Sequence, residues 1–593
     1  MNRLTDRVRA IWPTVRTVLV NVVGAAALAA AAVDAPAAVV AVLVLVGLLS
    51  ITVIIRRRVV RSPLTILGTY GAARIMLAGS VVVLGGHSVD EMSWAVWLAA
   101  TVVALTVAVE SVMARSWRQS GRLVHALPDG PPTPRRTRIG GRQVVASLVL
   151  LALLAITPWL PGWTHVVLLV VAVSLAAVEG VAVITAPALR ARRERSLREA
   201  LEAFAPEVMV YITGPAGTEY QLAAWLPVLD TIDSRIVIVA REHALADQVS
   251  RLTSLPVVAT PSLADLDALH VPSLRVALYV NNGAKNTHNV RYQDVTHVQL
   301  LHGDSDKPAS FNPVTAMFDK IFVAGQAGID RYANHGIHIP AERFAIVGRP
   351  QVVGIERPTS RGSVRNALYA PTWTGFQADA NYGSLPVGHE IVRALVGRGL
   401  TVTFRPHPYS FKEPTSRAQI DAIEQLLTAD AAATGRTHVF GVEASSAMTL
   451  PDCFNAADLL VTDVSSVPAD FLFSEKPFVI TKMQPGTVDD FVDEFPLARA
   501  AYLAHGDDAG SIDRAVERAA AVDDELAATR RTLRTYYLGD LPYAGYEQTF
   551  LAEVRRLVEE GPRSAPERST DSPQDQVVED DADLQGSDGA TLG

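Results

Sequence analysis

Six long apolar stretches crowd the first third of this chain, and they decide what it can fold into. They run over Val15–Ala32, Ala37–Ile55, Leu64–Gly85, Trp94–Ala114, Val144–Leu160 and His165–Ala188. Each approaches the twenty or so apolar residues that a helix needs to cross a bilayer. Their loops alternate in charge. Arg3, Arg7, Arg9 and Arg16 precede the first stretch, and Arg56, Arg57, Arg58 and Arg61 follow the second. Arg115, Arg118, Arg122, Arg135, Arg136, Arg138 and Arg142 lie between the fourth and fifth, and Arg190, Arg192, Arg193 and Arg195 follow the sixth. The intervening loops carry Asp34, His87, Asp90 and Glu91, with no Lys or Arg. Positive charge stays on the cytoplasmic side. The pattern therefore predicts six spans, both termini cytoplasmic, and a multi-pass protein of the cell membrane. No small-residue cleavage site follows a single short apolar core, so a removed signal peptide is not expected. Three ionisable residues, Arg74, Glu110 and Glu179, fall inside or near the spans. Arg74 and Glu179 are candidates either for a structural pair or for holding a lipid headgroup.

From about Leu197 the pattern changes to short β-branched runs alternating with amphipathic helices, as in a parallel α/β sheet. Strands are expected at Val208–Thr213, Arg235–Ala240, Val257–Ala259, Arg275–Val280, His297–Leu301, Lys320–Val323 and Phe344–Val347. A polar linker near 349–363 then leads to a second series at Ala367–Ala370, Thr401–Arg405, Thr437–Phe440, Leu459–Thr462 and Phe478–Thr481. The expected organisation is a transmembrane domain over 1–195 and two Rossmann-like domains over 196–355 and 356–561. The second includes a closing helix, Tyr546–Glu560. The Ser-, Asp- and Glu-rich tail over 562–593 cannot bury a core and is expected to be disordered. The net charge is −8 and there is one cysteine, Cys453, so no internal disulfide can form.

Chemistry-bearing residues gather at the ends of these strands, where parallel sheets bind ligands. His302 and Gly303 follow one strand; Pro371, Thr372 and Trp373 another; Arg405, Pro406, His407 and Pro408 a third. Asp463, Ser465 and Ser466 end a fourth and open a helix, whose free N–H groups suit an anion. Arginine offers a planar fork to phosphate, and a neutral histidine can take a proton from an alcohol. Gly214, in the turn Gly214 to Thr218, suggests a further phosphate contact, although no Walker lysine follows it. Trp373 could wall a nucleotide or simply pack. No metal-ligand spacing is present, and no basic aromatic stripe points to nucleic acid.

Taken together and in this order, the motifs around His302, Tyr369 to Trp373, Arg405 to Pro408 and Asp463 to Ser466 resemble the CDP-glycerol glycerophosphotransferase family of teichoic-acid polymerases and primases. The resemblance covers about Glu207 to Leu551. It implies a GT-B fold, with the acceptor on the first α/β half and the CDP-linked donor on the second. It implies His302 as general base and His407 on the diphosphate side, with Arg405, Asp463, Ser465, Ser466, Thr372 and Gly214 around the donor. The expected reaction moves glycerol phosphate, or a related alditol phosphate, to a hydroxyl of a lipid-linked polymer and releases CMP, with no cofactor beyond the donor itself. A glycosyltransferase or nucleotide-sugar epimerase of the same fold, and a non-catalytic binding module of envelope assembly, remain open. One departure stands out. The family continues Thr-Pro-x-Lys after His-Gly, whereas this chain has Asp304, Ser305, Asp306 and Lys307. Two extra carboxylates at the site could alter the acceptor or the donor.

Overall fold

The computed structural model describes the chain except residues 1, 59–62, 88–93, 120–122, 134–138, 302, 304, 359–361, 374–380 and 563–593. His302, Asp304 and the acidic tail after residue 562 lie outside the described residues.

The apolar stretches form six helices: α1 (Asn2–Ala32), α2 (Ala37–Arg58), α3 (Pro63–His87), α4 (Trp94–Gln119), α5 (Ile139–Ala155) and α6 (Gly162–Phe204). Small residues let them approach closely. A methyl on Gly24 would meet the Ala73 carbonyl at 3.2 Å, so the two backbones approach closely there. The bundle buries polar side chains, including Arg74, Ser80 and Glu179, and turns large apolar ones outward. Leu49 is 64% and Ile184 78% exposed. Arg74 donates to the Ser147 hydroxyl at 2.7 Å. The expectation of six full spans is met only in part. Among the described residues, one helix, α6, is long and apolar enough to cross a membrane; the apolar stretches of the others are 10–17 residues long.

α6 is also the link to the rest of the chain. It has 43 residues, about 65 Å at 1.5 Å per residue. Its last turns leave the bundle and enter a second core. Leu197 and Leu201 pack there with Met209, Tyr211 and Val239. Ala205, in the left-handed conformation (φ 48°), ends the helix.

The first α/β half is an eight-stranded sheet. Its strands are β1 (Val124–His125), β2 (Val208–Ile212), β3 (Ile236–Ala240), β4 (Val257–Ala259), β5 (Val276–Tyr279), β6 (Thr296–Gln299), β7 (Lys320–Val323) and β8 (Phe344–Ile346). The order is β1-β4-β3-β2-β5-β6-β7-β8. β2 to β8 are parallel and follow the expected strands within a residue or two. β1 is a surprise: it comes from the connection between α4 and α5 and pairs antiparallel with β4. Leu123 and Leu127 beside it fill the sheet's two faces.

The second half is a five-stranded sheet of order β10-β9-β11-β12-β13. The strands are β9 (Asn366–Tyr369), β10 (Thr401–Phe404), β11 (Leu459–Thr462), β12 (Phe478–Lys482) and β13 (Tyr502–His505). Two expectations are corrected here. Thr437–Phe440 is no strand and contributes a single bridge, Val439 to Thr403, because His438 turns its ring onto the Val402 N–H and Asp430. Tyr502–His505, four residues long and not expected from the sequence, is the far edge strand.

The closing helix, observed as Gln548–Glu560, crosses back. It belongs by sequence to the second half, yet Phe550, Val554 and Leu557 lie in the core of the first sheet with Leu278 and Val298. Trp225 lies over Phe550 with ring centroids 5.4 Å apart. Ending the chain after Gly545 strips these three side chains from the first sheet. Each such loss typically costs about 2–5 kcal/mol, so the truncated chain should melt far lower and lose the buried-tryptophan fluorescence near Trp225. A chain ending after Pro562 should melt as the full protein does.

Candidate active site

The site is built where the C-terminal ends of β9, β10 and β11 face the end of β6. Its centre is Asp463, the residue after β11, which is 0% exposed. Thr372 N–H donates to both of its carboxylate oxygens at 3.1 Å. Ser384 adds its N–H at 2.7 Å and its hydroxyl at 2.8 Å. One carboxylate therefore ties the two loop segments near Thr372 and Ser384 to the end of β11. Burial pushes the Asp463 carboxyl up to about 6, against the pull of the Lys307 ammonium and of the Ser384 and Thr372 donors. Asp463, expected either to orient backbone amides or to bind a donor hydroxyl, is fully buried and holds the amides of Thr372 and Ser384.

Thr372 is buried as well, and its hydroxyl accepts from Lys307 Nζ at 3.4 Å. The Trp373 ring stacks on His407 with centroids 6.1 Å apart and meets Tyr409 edge-on at 5.2 Å. His407 is held by its own backbone: Nδ1 accepts the Tyr409 N–H at 3.1 Å. An amide can only donate, so the neutral ring carries its proton on Nε2. Tyr220 of the first half closes the group, edge-on to His407 at 5.7 Å and to Tyr409 at 5.8 Å. Lys412 lies 4.1 Å over the Tyr409 ring.

Arg405 is partly committed elsewhere. Its Nη1 donates to the Met448 carbonyl at 2.8 Å and to the Ala444 carbonyl, pinning the π-helix Glu443–Ala447. π-Bulges recur at functional sites because they re-aim a turn of backbone. The helix expected to open at Ser465 begins at Val467, with Ser466 as its N-cap. Ser465 Oγ is buried and has no hydrogen-bond partner among the described residues.

The two halves meet here. A methyl on Gly303 would lie 3.0 Å from Ser466 Oγ and 3.1 Å from its Cβ. Only glycine fits that approach without a shift. The neighbour of His302 thus rests directly on the serine turn of the second half.

Two expectations do not hold. The Gly214 N–H, read as a phosphate contact, donates to Glu242 Oε2 at 2.8 Å. The same carboxylate accepts from Thr213 at 2.9 Å and Lys285 at 2.6 Å. An anion would have to displace a carboxylate to reach that amide. Asp306, read as an extra charge in the site, accepts from Arg331 Nη2 at 2.9 Å and from the Tyr537 hydroxyl at 2.8 Å. It is a structural anchor. Residues that the sequence reading missed are Ser384 and Tyr220. Ser384 carries no local signal, because only the tertiary fold brings it to Asp463. Among the described residues no group of three or more His, Cys, Asp or Glu could hold a metal ion.

Residues 354–496 match the family model described as CDP-glycerol:poly(glycerophosphate) glycerophosphotransferase. Similar solved structures include the wall teichoic acid polymerase TagF, at 12% identity over 64% of this chain and 96% of that one, with a TM-score of 0.38. They also include a putative UDP-N-acetylglucosamine 2-epimerase from Listeria monocytogenes (14% identity, 60% and 98% covered, TM-score 0.40). The UDP-GlcNAc 2-epimerase from Neisseria meningitidis bound to UDP-GlcNAc is a third (12%, 59% and 100%, 0.37). No curated protein sequence matches the chain.

The buried carboxyl makes the fold sensitive to pH in a defined direction. Its folded value of about 6 lies above the ordinary aspartate value of about 3.9. Its contribution to stability is therefore complete below about pH 4 and is lost as the pH rises through about 6. Thermal melts between pH 4 and 7 should show this decline in the native protein and a flatter profile in Asp463→Asn.

Proposed function

We propose that this chain, a transferase with the glycerophosphotransferase family match over residues 354–496, moves glycerol phosphate from a CDP-linked donor to a hydroxyl of a lipid-linked polymer at the membrane face. The acceptor oxygen forms a bond to the phosphorus bearing the glycerol. The bond from that phosphorus to the bridging oxygen of CMP breaks, and CMP leaves. His302 takes the acceptor proton. Transfer of this kind depends on positioning and on stabilising phosphate charge more than on covalent chemistry. His407 through Nε2–H, Ser465 and Ser466 hold the diphosphate, Thr372 lines its edge, and Arg405 supplies charge from beside the π-helix.

The observation that carries the reading is the contact of Gly303 with Ser466. The base-bearing loop and the serine turn come from different halves, more than a hundred and fifty residues apart in sequence, and meet at van der Waals distance. In-line transfer needs that juxtaposition.

In the same reading, 1–195 is the membrane domain, 196–355 the acceptor half, 356–561 the donor half and 562–593 an uninvolved tail. The outward apolar side chains of α1 to α6 support burial in lipid, since in water they would be left exposed at a cost of about 25 cal/mol per Å². The pairing of β1 with β4 supports a common, cytoplasmic side for the α4–α5 connection and the catalytic halves.

The test uses the full chain in detergent micelles with CDP-glycerol, CDP-ribitol and UDP-sugars, following nucleotide release in the presence of polyprenyl-linked acceptors. CMP release from a CDP-alditol is expected. His302→Ala should lower turnover roughly a hundredfold to ten-thousandfold and leave donor affinity unchanged. The double change of Ser465 and Ser466 to Ala should weaken donor binding instead, by about 1.5–3 kcal/mol per lost bond to phosphate. A fully active His302→Ala, or turnover of UDP-sugars alone, refutes the assignment.

A further inference from the structure

Arg241 is a buried cation away from the cleft between the halves. It follows β3 and is 1% exposed. Its side chain makes one hydrogen bond among the described residues, from Nη1 to the Tyr211 hydroxyl at 3.1 Å. Nε is buried without a partner. The next residue, Glu242, gives its oxygens to Thr213, Gly214 and Lys285, and Arg241 forms no ion pair among the described residues. A guanidinium taken out of water without a counter-charge is costly, and an anion would relieve that cost.

Other unfilled polar groups converge on it. Thr260 follows β4 and is 0% exposed. Its N–H donates to the Ala240 carbonyl at 2.9 Å, which sets it beside Arg241, and its hydroxyl is buried without a partner. Side chains alternate between the faces of a strand. Arg241 lies two residues beyond Val239 and Thr260 two beyond Val258, so both point to the face on which Val239, Val258 and Tyr211 pack. The turn Ala284–His288 closes a third side, its Lys285 carbonyl accepting from the Tyr211 hydroxyl at 2.7 Å. His288 Nδ1 is also buried without a partner. Burial first, then the charges of Arg241, Lys285 and Arg291, hold that ring below the ordinary histidine range, so the surrounding field is positive.

The position of the cluster bears on its ligand. The same sheet face receives Leu197 and Leu201 of α6. Arg190, two residues past the apolar stretch that ends at Ala188, reaches Asp265, five residues after Thr260, at 3.4 Å. The ends of β3 and β4 therefore lie where α6 leaves the bundle. Arg193, about one turn nearer the bundle than Leu197, is on the same side of the helix. β3 is three strand positions from β6, roughly 14 Å from the strand end that meets the serine turn at the usual strand spacing.

We propose that Arg241 and Thr260, with the His288 ring, form a phosphate site at the bundle end of the first sheet, and that the phosphate belongs to a membrane lipid headgroup. The Nε edge of the guanidinium offers a fork to phosphate oxygens, and the Thr260 hydroxyl donates beside it. Lys285, whose side chain is 40% exposed, marks the open side. The lipid as source rests on the membrane placement proposed above; the phosphate site does not, and neither depends on the transferase reading. A lipid phosphate held here ties the first half to the bilayer surface.

The test is calorimetric titration of the full chain, in micelles of an uncharged glycoside detergent, with short-chain phosphatidylglycerol and with inorganic phosphate. The saturable affinity for the lipid should fall roughly ten- to hundredfold in Arg241→Met and about tenfold in Thr260→Val. Thr260→Val keeps the shape of the side chain and the melting temperature of the lipid-free protein, so it remains informative should Arg241→Met fail to fold. Phosphate and lipid bound equally well, both in a Thr260- and Arg241-dependent way, keep the site and make free phosphate its ligand. Lipid and phosphate affinities unchanged in Thr260→Val overturn the inference. So do substitutions that lower only the melting temperature, and a native protein that binds neither probe.

Discussion

The buried carboxylate of Asp463 is the constraint on which the second half depends. A charge taken fully out of water is tolerated only when its lone pairs are filled. Here they are filled by the N–H groups of Thr372 and Ser384 and by the Ser384 hydroxyl. That requirement, more than any apolar contact, sets where the segments after β9 lie. Those segments carry Thr372 and Trp373, and Trp373 stacks on His407. Three strand ends are thus indexed to one another through one side chain.

A second set of buried polar contacts holds the halves together. Arg349 and Asp470 form a buried pair, with Arg349 Nη2 to Asp470 Oδ2 at 3.0 Å. The Arg349 N–H donates to the Tyr546 hydroxyl at 3.0 Å. Tyr536 and Tyr537 reach back to Asp330 and Asp306 at 2.8 Å. Removing one partner of such a pair leaves a stranded buried charge, typically at about 3–5 kcal/mol. Tyr536 and Tyr537 lie on the Ala527–Leu538 helix, Tyr546 on the segment after it, and Asp470 on the short Val467–Phe471 helix that follows Ser466. Through Asp306 they also hold the segment that carries Lys307.

The bundle and the first sheet are joined at two points. α6 runs without a break from the bundle into the core beside β2, and Arg190 on it reaches Asp265 at 3.4 Å. β1 adds the α4–α5 connection to the sheet edge, which also covers an otherwise open strand. Two rigid attachments restrict rotation where one helix would act as a swivel.

Periodicity and strand-end chemistry are local properties, so the sequence alone determined the six apolar helices, nearly every parallel strand and the places of His407, Ser465 and Ser466 just beyond strand ends. What it could not determine were contacts between residues far apart in the chain. Gly214 looked like an anion loop because its spacing is right, but Glu242, which takes its N–H, arrives from the end of a neighbouring strand. Asp306 looked like a charge in the site because it follows His302, but Arg331 and Tyr537 draw it away. Val124–His125 looked like part of a basic loop, since an edge strand of two residues has no period to read. Ser384 acquires its role only through Asp463. Tertiary structure decided these points, because the pairing of a buried polar group is settled by whichever partner the fold brings within about 3 Å, and that distance is not written in the spacing of residues along a chain.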